Sequence, residues 1–348
     1  MTAAGVTLPA QHPPGQDARP RIDAIHAFHP ARSVDIGEIA DDIGLKPAQV
    51  KLLRRVHGMR RLHWDPRMSL LELLLPAAQR SLAATGDPAT VRYVIYAHAT
   101  QEVTPSTLDA ASMLRDSLHL PSAESFAITQ QNCASGLAAL DAAGMLLAAD
   151  GVPGARALVV TGEKAFSKLN HVYYSLGSVM GEAASATLVS LDGPGDVVRS
   201  YVVETHGEFN AGILMTPEEH HQHSAIGDRT IVNVIHRALQ HAGARLEDID
   251  IVVQHNPDMS TVADLLGFPR ERLFSQNLAQ HSHCYASDVF VNYVQLGEAG
   301  RLTPGRNYLF VSTGLGATYS AMVVRHTGGT ACGTAQQGNA TEENEGDR

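Results

Sequence analysis

Residues 125–149 read Ser-Phe-Ala-Ile-Thr-Gln-Gln-Asn-Cys-Ala-Ser-Gly-Leu-Ala-Ala-Leu-Asp-Ala-Ala-Gly-Met-Leu-Leu-Ala-Ala. The first four are a short apolar run, the pattern of a buried strand. From Ala134 onward nearly every side chain is small or apolar, so the helix expected over 134–149 has no wet face and belongs in the middle of a protein. Cys133 stands at the elbow between the two. Its neighbours outward alternate in the same way: strands are expected at 93–97, 157–161 and 186–191, with a helix at 107–119. The second half repeats the order, with strands at 197–204, 249–253, 308–312 and 319–324 and helices at 228–242, 259–266 and 286–299. The halves share element order rather than sequence. The fold class is α/β, two related βα halves (21–195 and 196–326) packed in layers of helix, sheet, helix, sheet and helix. Residues 1–20 and 327–348 carry no apolar period and are expected to be disordered tails.

The 348 residues, 44% hydrophobic and 18% charged, suffice for a sizeable core. A net charge of −10 argues against a nucleic-acid partner, although Arg54, Arg55, Arg60 and Arg61 form a local basic patch. Cys133, Cys284 and Cys332 form no CxxC pair, which suits free thiols in a reducing cytoplasm. The apolar run at 70–75 is too short to cross a bilayer, and residues 1–20 lack the plan of a secretion signal. The expectation is a soluble cytoplasmic protein without a membrane partner.

Active groups in open α/β units gather beyond the carboxyl ends of strands, and Cys133, His255 and the 281–285 segment all fall there. A thiol at a helix amino terminus meets free N–H groups and the positive end of the macrodipole, which should lower its pKa and supply oxyanion donors. Taken alone, a cysteine is more often a small buried hydrophobe. His255, at the end of a strand and before Pro257, can donate to a carbonyl or take a proton from the thiol. In His281-Ser282-His283-Cys284-Tyr285-Ala286-Ser287, either Ser282 or Ser287 can cap the following helix. No second Cys/His pair stands at zinc-finger spacing, and His220, His221 and His223 read as a solvated loop, so no metal centre is expected. Thr313-Gly314-Leu315-Gly316-Ala317-Thr318 joins two strands and lacks the patterns of nucleotide-binding loops. No cofactor is expected, and no Gly-x-Ser-x-Gly elbow marks a serine hydrolase.

In order and spacing these segments resemble the ketoacyl synthase III branch of the thiolase-like superfamily, from about residue 50 to 325. Gln131-Asn132-Cys133-Ala134-Ser135-Gly136 is similar to the nucleophile motif. Gly181-Glu182-Ala183-Ala184-Ser185-Ala186 resembles the Gly-Asp-Gly-Ala-x-Ala segment, with Glu for Asp. Gln254-His255-Asn256-Pro257 resembles the His-Gln-Ala-Asn strand end, and Ser312 through Tyr319 the glycine-rich terminal loop. The resemblance implies a thiolase-like five-layer αβαβα fold, a homodimer, and an acyl carrier protein or acyl-CoA donor. It implies Cys133 as nucleophile, the N–H groups of Cys133 and Gly316 as oxyanion hole, and catalytic roles for His255 and His283. Arg60, Arg61 and Asn256 are the expected substrate contacts.

Two departures stand out. The family's His-Gly-Asn-Thr-Ser reads His281-Ser282-His283-Cys284-Tyr285, which puts His283 in place of asparagine and gives it a base's chemistry, expected in the acceptor step. No tryptophan precedes Gly58-Met59-Arg60-Arg61 to stack an adenine, and Trp64 comes four residues late, which favours a protein-bound donor. The leading expectation is Claisen-type condensation between the acyl group and a small-molecule acceptor, in fatty-acid-like or specialised-metabolite biosynthesis. Acyl transfer to a hydroxyl or amine without decarboxylation is the alternative, and a non-catalytic partner subunit a second.

Overall fold

The computed structural model describes residues 19–166, 171–173, 177–255 and 259–336. The first half comprises β1 (Arg21–Phe28), β2 (Ser33–Asp35), α1 (Ala40–Ile43), α2 (Pro47–Arg55), β3 (Arg61–His63), α3 (Leu70–Leu82), β4 (Val91–Ala97), α4 (Ala110–Ser117), β5 (Glu124–Ile128), α5 (Ser135–Asp150), β6 (Arg156–Gly162), β7 (Val172–Tyr173), β8 (Ser178–Val179) and β9 (Ala184–Ser190). The second comprises β10 (Asp196–Thr205), α6 (Pro217–Ala242), β11 (Ile249–Gln254), α7 (Ser260–Leu266), β12 (Leu273–Phe274), α8 (Leu278–His281), α9 (Asp288–Glu298), β13 (Asn307–Gly314), β14 (Thr318–Arg325) and β15 (Ala331–Thr334).

Hydrogen bonding orders the large sheet β12-β11-β13-β14-β10-β1-β9-β6-β4-β5. Outward from the β1–β10 junction, the two sides repeat: β1, β9, β6, β4, β5 against β10, β14, β13, β11, β12. The pairing senses repeat too. β4 runs parallel to β5 and β6 while β9 runs antiparallel to β6 and β1; β11 and β14 stand in the same relations on the other side. The junction itself places Arg21 opposite Val197 and Ile22 opposite Asp196.

Helices close the layers. Leu73 and Leu74 of α3 and Leu114 of α4 bury against Val94, Leu158 and Leu188 on the outer face of the first half. Val234 and Ile235 of α6 do the same against Val252, Leu309 and Val323 of the second. Between the halves lie α5 and α9, whose Leu137, Leu140, Phe290 and Tyr293 join one core with Ile95, Val159, Phe310 and Met322. This is the five-layer αβαβα arrangement. The two central helices approach closely at Gly136, where a Cβ would stand 2.6 Å from a Phe290 ring carbon and 2.9 Å from the Ala286 carbonyl oxygen.

The structure corrects several sequence expectations. Residues 327–348 are not all tail, because β15 pairs in parallel with β1 from Ala24 to Ala27. Beyond Ile22, β10 no longer pairs with β1; β15 supplies partners for backbone groups that would otherwise be stranded. Pro20 is likewise packed, its ring against Gly144 and its carbonyl accepting from Val198 N at 2.8 Å. Residues 1–18 and 337–348 lie outside the described residues. The helix expected at 228–242 begins at Pro217, after a capping box in which Thr216 and Glu219 serve each other's backbone N–H groups. His220, His221 and His223 are therefore helical, not a loop. His223 Nε2 lies 3.1 Å from the Tyr319 hydroxyl.

Candidate active site

Cys133 lies in a single 3₁₀ turn (Asn132–Ala134) leading into α5 and is buried. The residue before it, Asn132, has a left-handed backbone (φ 52°) and uses both ends of its amide. Its Nδ2 donates to the Ala99 carbonyl at 2.9 Å, and its Oδ1 accepts from Leu315 N at 3.1 Å. Ser312 Oγ donates to the Cys133 carbonyl at 2.9 Å. These bonds hold the glycine-rich turn against the cysteine. A Cβ at Gly314 would stand 2.0 Å from the Gln131 carbonyl oxygen, so this close approach requires glycine.

His283 faces the sulfur, with Nε2 3.3 Å from Cys133 Sγ. Its other nitrogen, Nδ1, donates to Asp288 Oδ2 in a short bond. Asp288 is the first residue of α9 and 1% exposed, and its Oδ1 accepts from Cys284 N at 2.7 Å. A carboxylate at a helix amino terminus is favoured by the macrodipole. The result is a buried Cys133–His283–Asp288 chain. Sequence reasoning missed Asp288, whose signal was an acidic residue in the first turn of the helix after His283. Neither serine caps α9; Ser287 Oγ bonds Thr161 Oγ1 at 2.7 Å instead.

The loop carrying His283 is clamped from its backbone. His283 N donates to the Val179 carbonyl at 3.1 Å, and the His283 carbonyl accepts from Gly181 N at 2.8 Å. Glu182 N donates to the His63 carbonyl at 2.7 Å. The Gly181-Glu182 segment is thus a splint between β3 and the loop that carries His283. Among the described residues five non-glycines have positive φ, and Asn132, Ser282, Tyr285 and Ala317 are four of them. Strain of that kind collects where neighbouring structure dictates an active geometry.

His255 follows β11, and among the described residues its hydrogen bonds go to Thr313 rather than to the sulfur. Its Nδ1 accepts from Thr313 N at 3.2 Å, so the proton resides on Nε2, 3.1 Å from Thr313 Oγ1. Its ring centroid is 5.6 Å from that of His283. Burial, with the charge of His283 adding to it, lowers its pKa to about 3. His255 is a neutral Nε2–H donor. His283 goes the other way, to about 10, because Asp288 and the Cys133 sulfur outweigh burial. The thiol was expected to have a lowered pKa at a helix terminus; burial pushes it up instead, against the opposing pull of His283. Alkylation of Cys133 by iodoacetamide should therefore keep accelerating above pH 7 into the alkaline range, relative to a Cys133→Ala control. A plateau at or below pH 7 would mean that the pull of His283 outweighs burial and holds Cys133 as thiolate, contrary to the raised thiol.

Glu163, at the end of β6 and 1% exposed, was also missed in the sequence. It accepts from Ala99 N in a short bond and from Thr100 N and Oγ1 at 3.3 and 3.2 Å. Burial raises its pKa to about 7 despite these donors. It fixes the 98–100 loop, whose Ala99 packs with Cys133, Met180 and Tyr285. Gly316 has φ 83° in the turn between β13 and β14. Arg60 is exposed, and Arg61 is occupied with Ser33, donating to its carbonyl at 2.8 Å. Among the described residues no hydrogen bond links either arginine side chain to Cys133, His255 or His283. Asn256 lies outside the described residues. His281 turns away from His283 and Cys284, toward His29 and His63.

Residues 239–326, which carry His255, His283, Asp288 and Gly316, match the family model for the 3-oxoacyl-[acyl-carrier-protein (ACP)] synthase III C terminal. Over these residues the chain is similar to the ketoacyl synthase III family. It is 24% identical over 273 residues to the beta-ketoacyl-[acyl-carrier-protein] synthase III of Nitratidesulfovibrio vulgaris, covering 71% of this chain and 80% of that one. In structure it resembles the acyltransferase ChlB3, with a TM-score of 0.77 at 20% identity over 90% of this chain and 99% of that chain. It also resembles the 3-oxoacyl-[acyl-carrier-protein] synthase III of Aquifex aeolicus, with a TM-score of 0.74 at 18% identity over 88% and 100%. The likeness is thus to 3-oxoacyl-carrier-protein synthases, and the His283–Asp288 pair lies where that resemblance implies an asparagine.

Proposed function

We propose that the protein holds an acyl group as a thioester on Cys133 and passes it to a hydroxyl, amine or thiol acceptor. The observation that carries this reading is His283 set between Cys133 Sγ and the Asp288 carboxylate. Donors are acyl carrier protein or coenzyme A thioesters; the acyl carrier protein is the one in the name of the synthase III relatives. In the first half-reaction the Cys133 thiol gives up its proton to solvent, and the thiolate, beside the His283 imidazolium, attacks the donor carbonyl. The Sγ–carbon bond forms, the carrier's C–S bond breaks, and the departing carrier sulfur takes the Nε2 proton of His283. In the second, neutral His283 takes the acceptor's proton as its heteroatom attacks, and Cys133 leaves as thiolate beside a restored imidazolium. The N–H groups of Cys133 and Gly316 would hold the carbonyl oxygen. This moves His283 from the acceptor step alone to both steps.

Decarboxylative condensation is a second reading, favoured by one observation: His255 is a fixed neutral donor, the property an enolate oxygen needs. We further infer a homodimer, since β5 ends the sheet with an exposed edge that no strand covers among the described residues.

Intact-mass measurement after incubation with acyl-carrier and coenzyme A donors should reveal one acyl adduct that Cys133→Ala abolishes. No adduct with any donor would sink the proposal. Given an adduct, carbon dioxide released on adding a malonyl thioester would select condensation. Discharge to an alcohol, amine or thiol without it would select heteroatom transfer.

A further inference from the structure

We propose that His29, His63 and His281 form a binding site for a divalent transition metal of the zinc class. The three histidines come from separate places: the residue after β1, the last residue of β3 and the last residue of α8. The fold brings their rings together, with centroids 4.9 Å apart for His29 and His63, 4.3 Å for His29 and His281, and 5.0 Å for His63 and His281. One nitrogen from each lies within 4.8 Å of the other two. Zinc–nitrogen bonds of ~2.0–2.1 Å would set them about 3.4 Å apart, a closure that ring rotations can supply.

The donor chemistry fits. Both nitrogens of His29 and Nδ1 of His281 are buried without a hydrogen-bond partner. Buried polar atoms are rarely left so. His63 Nδ1 donates to the Pro30 carbonyl at 2.6 Å, which leaves the Nε2 lone pair free to bind; this is the support that metal-bound imidazoles usually have. The Gln295 amide reaches His281 Nε2 at 3.0 Å. With its oxygen toward the ring it accepts that N–H and leaves Nδ1 as the ligand atom. Burial, as the largest influence, lowers all three pKa values, so the rings are neutral at neutral pH, the form that binds metal. Three neutral imidazoles suit zinc, cobalt, nickel or copper rather than magnesium or calcium.

The location gives the site a purpose. Ser282, next to His281, has φ 54° and donates from Oγ to the Arg61 carbonyl at 2.8 Å. His283 follows immediately. A metal joining His63 to His281 would brace the loop that aims His283 at the sulfur, without touching substrate.

The test uses tag-free, full-length protein, stripped with a chelator and titrated with zinc chloride by calorimetry. One equivalent should bind with micromolar or tighter affinity, and Co²⁺ in its place should show the absorption of a four-coordinate site with three nitrogen ligands and a water. His29→Ala and His63→Ala should each weaken binding by about 100-fold or more. His281→Gln, closer in size, is the variant to use should the alanine proteins lose their native circular dichroism, and it should weaken binding likewise. No saturable binding below about 1 mM, or undiminished binding in the folded variants, would overturn the site. No acyl donor enters the experiment, so its failure would leave the acyl-transfer reading standing.

Discussion

Asp288→Asn is expected to slow acyl transfer about 10³–10⁴-fold while the protein stays folded, the scale seen when the carboxylate of a hydrolase triad becomes an amide. Asparagine can still accept from His283 Nδ1, but it brings no charge. Asp288 is the first of the influences holding His283 up to about 10 against burial. Without it, burial takes the imidazole below the ordinary histidine range, and the thiolate loses the cation beside it. Cys133, already pushed up by burial, becomes harder still to ionise. Quenched-flow intact-mass measurement of acyl-Cys133 formation gives the rate, and NMR titration of His283 gives the cause. A variant within tenfold of the parent rate, with His283 still protonated at pH 8, would remove Asp288 from the machinery.

Glu182→Ala should cost about 3–5 kcal/mol of stability, the range for stranding one charge of a buried pair. Glu182 is 0% exposed and Lys164 4%, with Nζ 2.5 Å from Oε2. The same carboxylate accepts from Asp65 N at 3.1 Å and Ala165 N at 3.4 Å. Burial raises its pKa, and Lys164 opposes the rise. Removing the carboxylate leaves a buried ammonium that still donates to the Asp65 carbonyl, 2.6 Å away, but faces no opposite charge from Glu182. The splint that holds His283 loosens with it. Urea denaturation of the single variant and of Lys164→Met with Glu182→Leu separates the cause, since removing both charges should restore most of the loss. A single variant costing less than about 1 kcal/mol would mean the pair is better solvated than its burial indicates.

The sequence made some of this legible because the signals were local. A strand, an elbow and a helix apolar all round placed Cys133, and a strand ending at a histidine placed His255. β1 escaped notice because Asp23 and His26 interrupt its apolar run, although the fold pairs them with Arg156 and Ser81. α3 carries Pro76 in its interior, which masks its period. The Asp288 link was hidden for another reason. An aspartate at a helix start reads as a cap, and only the closing of the chain between Ser282 and Asp288 turns its carboxylate onto His283. Glu163 lay at a strand end like the others, but its donors, Ala99 and Thr100, are more than sixty residues away.

The mirrored strand order on either side of β1 and β10 carries a consequence for divisibility. α5 and α9 occupy equivalent positions in the two halves, and each begins at one end of the proposed Cys133–His283–Asp288 chain: Cys133 before one, Asp288 at the head of the other. The sulfur is the property of the first half; His283 and its carboxylate partner are the property of the second. A chain severed between β9 and β10 would yield two pieces, each inert alone, and activity would return only on their reassembly.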